Sequence, residues 1–287
     1  MASLKIIRKR IASVKNTQKV TKAMKLVAAA KLRRAQRRAL AGRAFADKLI
    51  EMAGRVAMGS EQLPPLMQAR EVKKIDLVVL NSDRGLCGGF NENLIRAVRA
   101  RMAEEEKSGK EVTLIVIGRK GRDALRRFQR KETIIIKETL PENNPEIFSH
   151  MVAEQVRERF LNGSADGVLL AYNRFFSAGR QKVVFEAALP FVGQNENKKS
   201  SSVPYLVEPS PADVLEALVH EALFGHVNQA LLDSKASELA SRMMAMDNAT
   251  KNASEMIEML TLQYNRARQA TITGELLDIV GGAEALS

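Results

Sequence analysis

Residues 4–43 read LKIIRKRIASVKNTQKVTKAMKLVAAAKLRRAQRRALAGR. Apolar or small residues recur there at alternating spacings of three and four, and no Pro or Gly interrupts the pattern before Gly42. The repeat continues to Val56 and predicts one very long helix with a narrow apolar stripe, which such helices bury against a second helix. The predicted stripe comprises Leu4, Ile7, Ile11, Val14, Gln18, Thr21, Lys25, Ala28, Leu32, Ala35, Ala39, Gly42, Ala46, Leu49, Ala53 and Val56.

The exterior of this predicted helix is strongly basic. Residues 1–46 contain fourteen Lys or Arg and no Asp or Glu, whereas residues 212–287 contain five basic and eleven acidic residues. Opposite charges favour pairing of the two ends, although an exposed ion pair contributes only about 0 to 1 kcal/mol. Much of the positive charge is left unmatched, which indicates an acidic partner surface; a solvated basic face is the alternative interpretation.

A second repeat of the same period ends the chain. Ser210 is placed to cap this helix, Pro211 suits its first position, and Asp213 puts negative charge near the positive end of the helix dipole. At about 1.5 Å per residue the two helices would be roughly 80 and 110 Å long, too long for a compact domain. We therefore predict an antiparallel coiled coil of the two chain ends. Its second stripe comprises Leu215, Leu218, Ala222, Gly225, Gln229, Leu232, Ala236, Leu239, Met243, Met246, Thr250, Ala253, Ile257, Leu260, Tyr264 and Ala267.

After Pro64 and Pro65, which we expect to end the first helix, short apolar runs replace the long repeat. The predicted strands are residues 75–80, 113–117, 133–136, 168–172 and 183–189, and the predicted helices are residues 91–106, 119–130 and 145–161. This alternation predicts a mainly parallel sheet wrapped by helices, with residues 173–180 turning into a final antiparallel strand. The predicted fold class is α/β, a long antiparallel coiled coil of the N- and C-terminal helices plus a central Rossmann-like domain. The predicted domains are 1–63, 73–200 and 210–287.

The first predicted strand runs into NSDRGLCGGF, residues 81–90, and a glycine-rich turn before a helix is a frequent phosphate site. Neither G-x-G-x-x-G nor G-x-x-x-x-G-K-[ST] is present, and a tight turn also explains Gly85, Gly88 and Gly89. The second turn, residues 117–121, has the same structural interpretation. Nucleotide binding at the first turn stays an open alternative.

The sequence shows no pattern typical of catalysis or metal binding. His150, His220 and His226 have no companions at metal-ligand spacing, so we interpret them as helix-surface or stripe residues. The single cysteine, Cys87, excludes an intramolecular disulfide, and we interpret it as a small buried residue at the turn. No run of 18 apolar residues could span a bilayer. We predict no catalytic residue, no cofactor, no metal site and no direct membrane insertion.

Three segments closely resemble the gamma subunit of F-type ATP synthases, of bacterial type. They are RIASVKNTQKVTKAMKLVAAAKLR at 10–33, SDRGLCGGFN at 82–91 and YNRARQATITGELLDIVGGA at 264–283. The resemblance covers the whole chain. It implies a non-catalytic rotor shaft that couples c-ring rotation to conformational change in the alpha/beta ring of a proton-translocating complex. It also implies the alpha, beta and epsilon subunits and the c-ring as partners, no nucleic acid, and a peripheral place on the cytoplasmic face of the bacterial inner membrane.

The same resemblance implies roles for individual residues in the head of the complex. Met24 and Lys25 match the segment that faces a loop of the beta subunit. Arg242, Gln269 and Thr273 match the facing positions of the second helix. The apolar tip that turns inside the head would comprise Ile272, Leu276, Leu277, Ile279 and Val280.

At the other end, Tyr205 and Glu208 resemble the foot segment near the c-ring, although the family often has a second aromatic where Val207 stands. The residues alone leave two other classes of protein open. A basic helix joined to a zipper is typical of nucleic-acid binders, and the glycine turn is compatible with a nucleotide-dependent α/β enzyme. Salt-sensitive DNA retention would favour the first class, and saturable nucleotide binding by the isolated chain would favour the second.

Overall fold

The computed structural model of the chain describes residues 2–60, 62–126, 133–136, 145–191, 207–208 and 210–284. The helices are α1 (Ala2–Met58), α2 (Phe90–Lys107), α3 (Arg119–Leu125), α4 (Pro145–Leu161) and α5 (Pro211–Glu284), with a 3₁₀ turn at Pro65–Met67. The strands are β1 (Lys74–Leu80), β2 (Glu111–Ile117), β3 (Thr133–Ile136), β4 (Gly167–Ser177) and β5 (Arg180–Leu189). The predicted α/β fold class is confirmed.

The chain forms two compact units. The terminal unit comprises Met1–Ala28 and Arg242–Ser287, and the central unit comprises Ala29–Ser241. Each unit therefore contains part of α1 and part of α5, and the central unit also contains the sheet. None of the described helices offers an 18-residue stretch apolar enough to cross a membrane.

The sheet of the central unit has the strand order β3-β2-β1-β4-β5. β1 pairs in parallel with β2 and β4, β2 pairs in parallel with β3, and β5 is antiparallel to β4. Helices α2 and α3 cover one face, while α1, α4 and α5 cover the other. Burial on both faces explains why β1 and β2 are nearly continuous apolar runs rather than alternating patterns.

Three boundaries differ from the sequence-based expectation. The predicted turn at 173–180 is wrong, because the β4–β5 ladder continues from Asn173 opposite Val183 to Ser177 opposite Arg180. Cross-strand pairing therefore leaves only Ala178 and Gly179 between the strands. Helix α1 ends at Met58 rather than at Pro64. Helix α3 ends at Leu125, and the remainder of its predicted range, 127–130, lies outside the described residues.

In the central unit, α1 and α5 pack closely in antiparallel directions. Gly42 of α1 faces Gln229 of α5, where an added Cβ would lie 2.9 Å from the Gln229 Oε1 atom, and Gly225 faces Ala46 further along. Every predicted stripe residue of the central unit is buried or half-buried. Small residues at these positions let the helix axes approach, as the stripe predicted.

In the terminal unit, polar pairs join the two helices. These are Gln18 with Ser254 at 2.7 Å, Thr21 with Thr250 at 2.8 Å, and Lys25 with Asp247 at 2.6 Å. Partner numbers fall on α5 as they rise on α1, so the helices are antiparallel here too. The predicted pairing of the chain ends is therefore confirmed within each unit.

The start of α5 has the predicted cap. Ser210 accepts a hydrogen bond from the Asp213 amide at 3.2 Å and donates one to the Asp213 carboxylate at 2.6 Å. These bonds fix the first turn, and Pro211 needs no amide partner at its position.

Candidate partner-binding surfaces and the strand-end crevice

The carboxyl ends of β1 and β4 form the crevice where an open α/β sheet most often binds a ligand. The chain continues from β1 to one side of the sheet and returns to the other side at β4, so the crevice lies between these strands. Here Ser234 of α5 donates a hydrogen bond to the Leu80 carbonyl at 3.1 Å, and Ser237 donates one to the Asn173 carbonyl at 2.8 Å. All of these residues are buried. Helix α5 thus covers the end of β1 and the neighbouring part of β4 with its own side chains.

The glycine-rich turn after β1 is held by internal hydrogen bonds. The Ser82 hydroxyl donates to the Asn91 side-chain oxygen at 2.9 Å, and the Asn91 amide group donates to the Cys87 sulfur at 3.2 Å. Cys87 is buried, as the sequence predicted. At the tip of the turn, Leu86 is exposed and has a positive φ of 62°.

The second turn, before α3, packs against the first. The Arg119 amide donates to the Asp83 carboxylate at 2.9 Å, and the Lys120 amide donates to the Ser82 carbonyl at 3.0 Å. Gly118 is required here, because its φ is 98° and an added Cβ would lie 2.4 Å from the Asn81 carbonyl oxygen. A phosphate at the start of a helix uses such amides. In this chain they bind the neighbouring turn, which favours the structural interpretation of both glycine turns.

The histidines contact helix and strand partners within the central unit. His220 forms a hydrogen bond with Glu154 of α4, and His226 lies 3.3 Å from the Glu186 carboxylate of β5. His150 stacks on Phe224 with ring centroids 3.6 Å apart. No group of three potential metal ligands occurs among the residues that the structure describes.

The terminal unit carries a basic surface on α1. Its exposed cations on this helix are Lys5, Arg8, Lys9, Arg10, Lys15, Lys19 and Lys22. Positive charge near a helix N-terminus opposes the helix dipole, so helix stability does not explain these residues. The surface is suited to an acidic partner.

The predicted head-contact residues differ in exposure. Gln269 and Thr273 are exposed, whereas Met24, Lys25 and Arg242 are half-buried. Lys25 and Arg242 are thus only partly exposed. For Lys25 the physical reason is its stripe position, which places its amine against a carboxylate of α5.

The ion pair of Lys25 with Asp247 has a second contributor in Lys251, which lies 3.3 Å from the same carboxylate. The hydrogen bond from Lys25, together with that from Lys251, lowers the pKa of Asp247 below its ordinary value. Asp247 is therefore charged at neutral pH. About 40% of the Lys25 side chain is still exposed, so the side chain remains accessible to a partner.

The predicted apolar tip of α5 is exposed in the terminal unit. Five large apolar side chains within nine residues are between 48% and 68% exposed: Ile272, Leu276, Leu277, Ile279 and Val280. Such a concentration of apolar surface on one helix end is typical of a partner-binding site. Of the predicted foot residues, Glu208 is exposed, and Tyr205 lies outside the described residues.

Sequence reasoning missed a group of charged side chains in the central unit. Arg43 of α1 and Asp233 of α5 form an ion pair, although each directly follows a stripe residue. The sequence did contain a signal for this pair, because a positive residue follows the stripe on one helix and a negative residue follows the stripe on the other. Their contact could not be identified without the register of the helix pair.

Each unit contains an antiparallel pair of segments from α1 and α5; the central unit adds an α/β sheet, and the terminal unit carries a basic surface and an exposed apolar tip. Such surfaces are typical of the class of proteins that function as subunits of a larger assembly. The family model described as ATP synthase matches residues 3–286. Curated relatives named ATP synthase gamma chain include that of Moorella thermoacetica, 46% identical over all of both chains, and that of Geobacter metallireducens, 42% identical over all of this chain and 99% of the relative. The chain belongs to the ATP synthase gamma chain family, which confirms the resemblance and the central-stalk function that it implies.

Solved structures agree with this membership. A chain from the central stalk and c-ring structure of Tetrahymena thermophila mitochondrial ATP synthase is 30% identical, with a TM-score of 0.59 over 80% of this chain and 99% of that one. A chain from Euglena gracilis mitochondrial ATP synthase has a TM-score of 0.67 over 99% of this chain and 95% of that one. It is 19% identical and shows the fold alone.

Proposed function

We propose that this chain is the rotor shaft of a proton-translocating ATP synthase and couples c-ring rotation to conformational change at the catalytic sites of the alpha/beta ring. The chain itself catalyses no reaction. An asymmetric shaft presents a different face to each of three identical sites and so stabilises a different state in each. The observation that carries the proposal is the exposed apolar tip of α5, in a family whose relatives are named ATP synthase gamma chain.

In the head, Met24 and Lys25 would face a loop of the beta subunit, with Arg242, Gln269 and Thr273 on α5 near the same ring. Support comes from the exposed basic surface of α1 and from the accessible part of the Lys25 side chain. Rim charges of this kind contribute chiefly to recognition and orientation. The tip residues Ile272, Leu276 and Ile279 would turn inside the apolar sleeve of the head.

At the foot, Tyr205 and Glu208 would lie near the c-ring, and the epsilon subunit would be a further partner of the chain. The chain would lie peripherally on the cytoplasmic face of a bacterial inner membrane, in keeping with the bacterial relatives. The three-domain division at 1–63, 73–200 and 210–287 belongs to the same proposal. It assigns the two helices to the shaft and the Rossmann-like domain to the foot.

Reconstitution with alpha and beta subunits tests the proposal. The isolated chain should not hydrolyse ATP, whereas the assembled complex should do so and rotate. Robust hydrolysis by the contaminant-free chain alone would exclude this function, because the proposal leaves all chemistry to the partners.

The same assay can test the Lys25 contact, provided that the internal ion pair is controlled. Lys25→Gln removes both the Lys25–Asp247 pair and the Lys25 charge, while Asp247→Asn removes the pairs of Asp247 with Lys25 and Lys251 and keeps the Lys25 charge. In complexes assembled with the membrane sector, Lys25→Gln should lower ATP-driven proton pumping and Asp247→Asn should leave it close to wild type. Equal pumping by Lys25→Gln and wild type would show that Lys25 makes no functional partner contact.

A further inference from the structure

Charged side chains join both long helices to each other within the central unit; Asp233 is buried, whereas about 38% of the Arg43 side chain is exposed. Arg43 of α1 donates through Nη2 to both carboxylate oxygens of Asp233 on α5, at 3.0 and 2.9 Å. Gln229, one turn earlier on α5, donates to the same carboxylate at 3.1 Å. The Asp233 side chain is only 1% exposed. The link between α1 and α5 at this level is therefore charged and directional.

A second set of polar contacts joins α5 to the last two strands of the sheet. Glu186 of β5 accepts a hydrogen bond from the Tyr172 hydroxyl at 2.6 Å and pairs with Arg174 at 2.7 Å, both on β4. His226 of α5 lies 3.3 Å from the Glu186 carboxylate. Burial raises the pKa of Glu186. The hydrogen bonds to His226 and Tyr172 and the charge of Arg174 together lower it by more than burial raises it, so Glu186 is ionised.

The two sets of contacts lie side by side. Both border one cavity of about 340 Å³, whose lining includes Arg43, Arg174, Glu186 and His226. The charges of Arg174 and Glu186 also act on Asp233. The charge junction is defined as Arg43, Tyr172, Arg174, Glu186, His226 and Asp233. It connects α1, α5, β4 and β5.

Stability alone does not account for a charge junction at this place. Removing an ion pair from water is costly, and replacing a buried pair by well-packed apolar residues is often neutral or stabilising. Asp233 illustrates the cost, since burial raises its pKa above the ordinary value although Arg43 opposes the shift. Apolar packing is non-directional and permits sliding, whereas hydrogen-bonded charges fix one relative orientation.

We propose that the charge junction fixes both long helices to the sheet in one orientation, so that torque passes between the Rossmann-like domain and the helix pair through these side chains. The proposal rests on the proposed rotor function. Two serines complete the attachment on the sheet side, because Ser234 binds α5 to the end of β1 and Ser237 binds it to Asn173 within β4. The residues of the charge junction therefore act by positioning the helices and contact neither a substrate nor a catalytic site.

The test replaces the charged link by apolar packing. The double variant Arg43→Met/Asp233→Leu should assemble and hydrolyse ATP. ATP-driven proton pumping in inverted vesicles should fall several-fold relative to hydrolysis. Asp233→Asn preserves the shape of the side chain and should also lower the ratio of pumping to hydrolysis. If the double variant does not assemble, this single variant provides the test.

A matched control uses a buried ion pair that involves neither long helix. Arg159 of α4 pairs with Asp76 of β1 at 2.6 Å, and the Asp76 side chain is as buried as that of Asp233. The control double variant Arg159→Met/Asp76→Leu should keep the wild-type ratio of pumping to hydrolysis. A wild-type ratio in the junction variants, or an equal loss in the control, would overturn the proposal. If the wild-type chain itself restores no hydrolysis with alpha and beta subunits, the rotor function fails instead.

Discussion

Asp247 connects helix pairing in the terminal unit with the predicted head contact. Its carboxylate lies 2.6 Å from the Lys25 amine and 3.3 Å from the Lys251 amine. Lys25 occupies an apolar stripe position, where an amine without a nearby carboxylate would weaken the helix pair. The same side chain is proposed to face a loop of the beta subunit in the head.

We expect Lys25→Gln to raise the pKa of Asp247 toward its ordinary value of 3.8. The Lys25 hydrogen bond is the largest of the causes that lower this pKa, so Lys251→Gln should raise it less. A carboxyl ¹³C titration of the full chain by NMR measures both shifts. An unchanged pKa in Lys25→Gln would show that the ion pair does not form in solution.

The sign of the pH dependence follows from the lowered pKa. A carboxylate whose pKa is lower in the folded chain stabilises it above the unfolded value of 3.8, and the contribution disappears as the pH falls through the folded pKa. The difference in unfolding free energy between wild type and Asp247→Asn should therefore be constant near neutral pH and shrink below pH 3.8. Denaturant titrations at several pH values would show this trend.

At the scale of elements, the contact between the two glycine turns depends on Gly118. We expect Gly118→Ala to destabilise the central unit, because a side chain at this φ is strained by about 1 to 3 kcal/mol and its Cβ would also overlap the Asn81 carbonyl. Gly163→Ala is the matched control, since Gly163 has a φ of 76° with no atom near its added Cβ. The Gly163→Ala control should lower the free energy of unfolding by only about 1 to 2 kcal/mol.

Denaturant-induced unfolding of the full chain measures both glycine variants. The prediction requires that Gly118→Ala lower the free energy of unfolding clearly more than Gly163→Ala does. Equal losses would mean that the strain of a positive φ, rather than the close approach of Asn81, determines the role of Gly118.

The elements were predictable where the pattern was long or purely local. The two stripes predicted both helices and their pairing, since a 3.5-residue repeat sustained over sixteen positions is typical of helices that pack along their length. Strand positions followed from apolar runs, but the β4–β5 turn did not. Its flanking residues are held in the ladder by cross-strand pairing, and Asn173 is further fixed by the bond from Ser237.

The candidate surfaces were predictable from the sequence only in part. Exposure of the tip followed from apolar residues that continue beyond the paired stripe. Half-burial of Lys25 depends on the position of Asp247 on another helix, and the charge junction depends on four elements that are distant in sequence. Such contacts are set by tertiary register, which a single sequence does not specify.

At the scale of the whole molecule, the distribution of charge and apolar surface indicates a chain that functions inside an assembly. Its net charge is +12, and the N-terminal part of α1 is basic throughout. The sheet is buried by the chain's own helices, whereas the tip of α5 is not covered by any described residue to a comparable degree. Neither feature stabilises an isolated chain, and both are explained by partners of acidic and apolar character.

The apolar tip leads to the last prediction. Ile272, Leu276 and Ile279 recur at helical spacing, and full burial of each would contribute about 1.5 to 3 kcal/mol relative to exposure. A bearing that rotates requires a smooth contact without fixed hydrogen bonds, which aliphatic side chains provide. Replacing all three with Ser should therefore lower the yield and thermal stability of the complex with alpha and beta subunits and leave the Rossmann-like domain folded. The control is Ile147→Ser/Met151→Ser/Leu161→Ser on α4, an exposed apolar set of the central unit that should not affect the head. A complex of unchanged yield and heat stability with the tip variant would show that the tip is not held in the head.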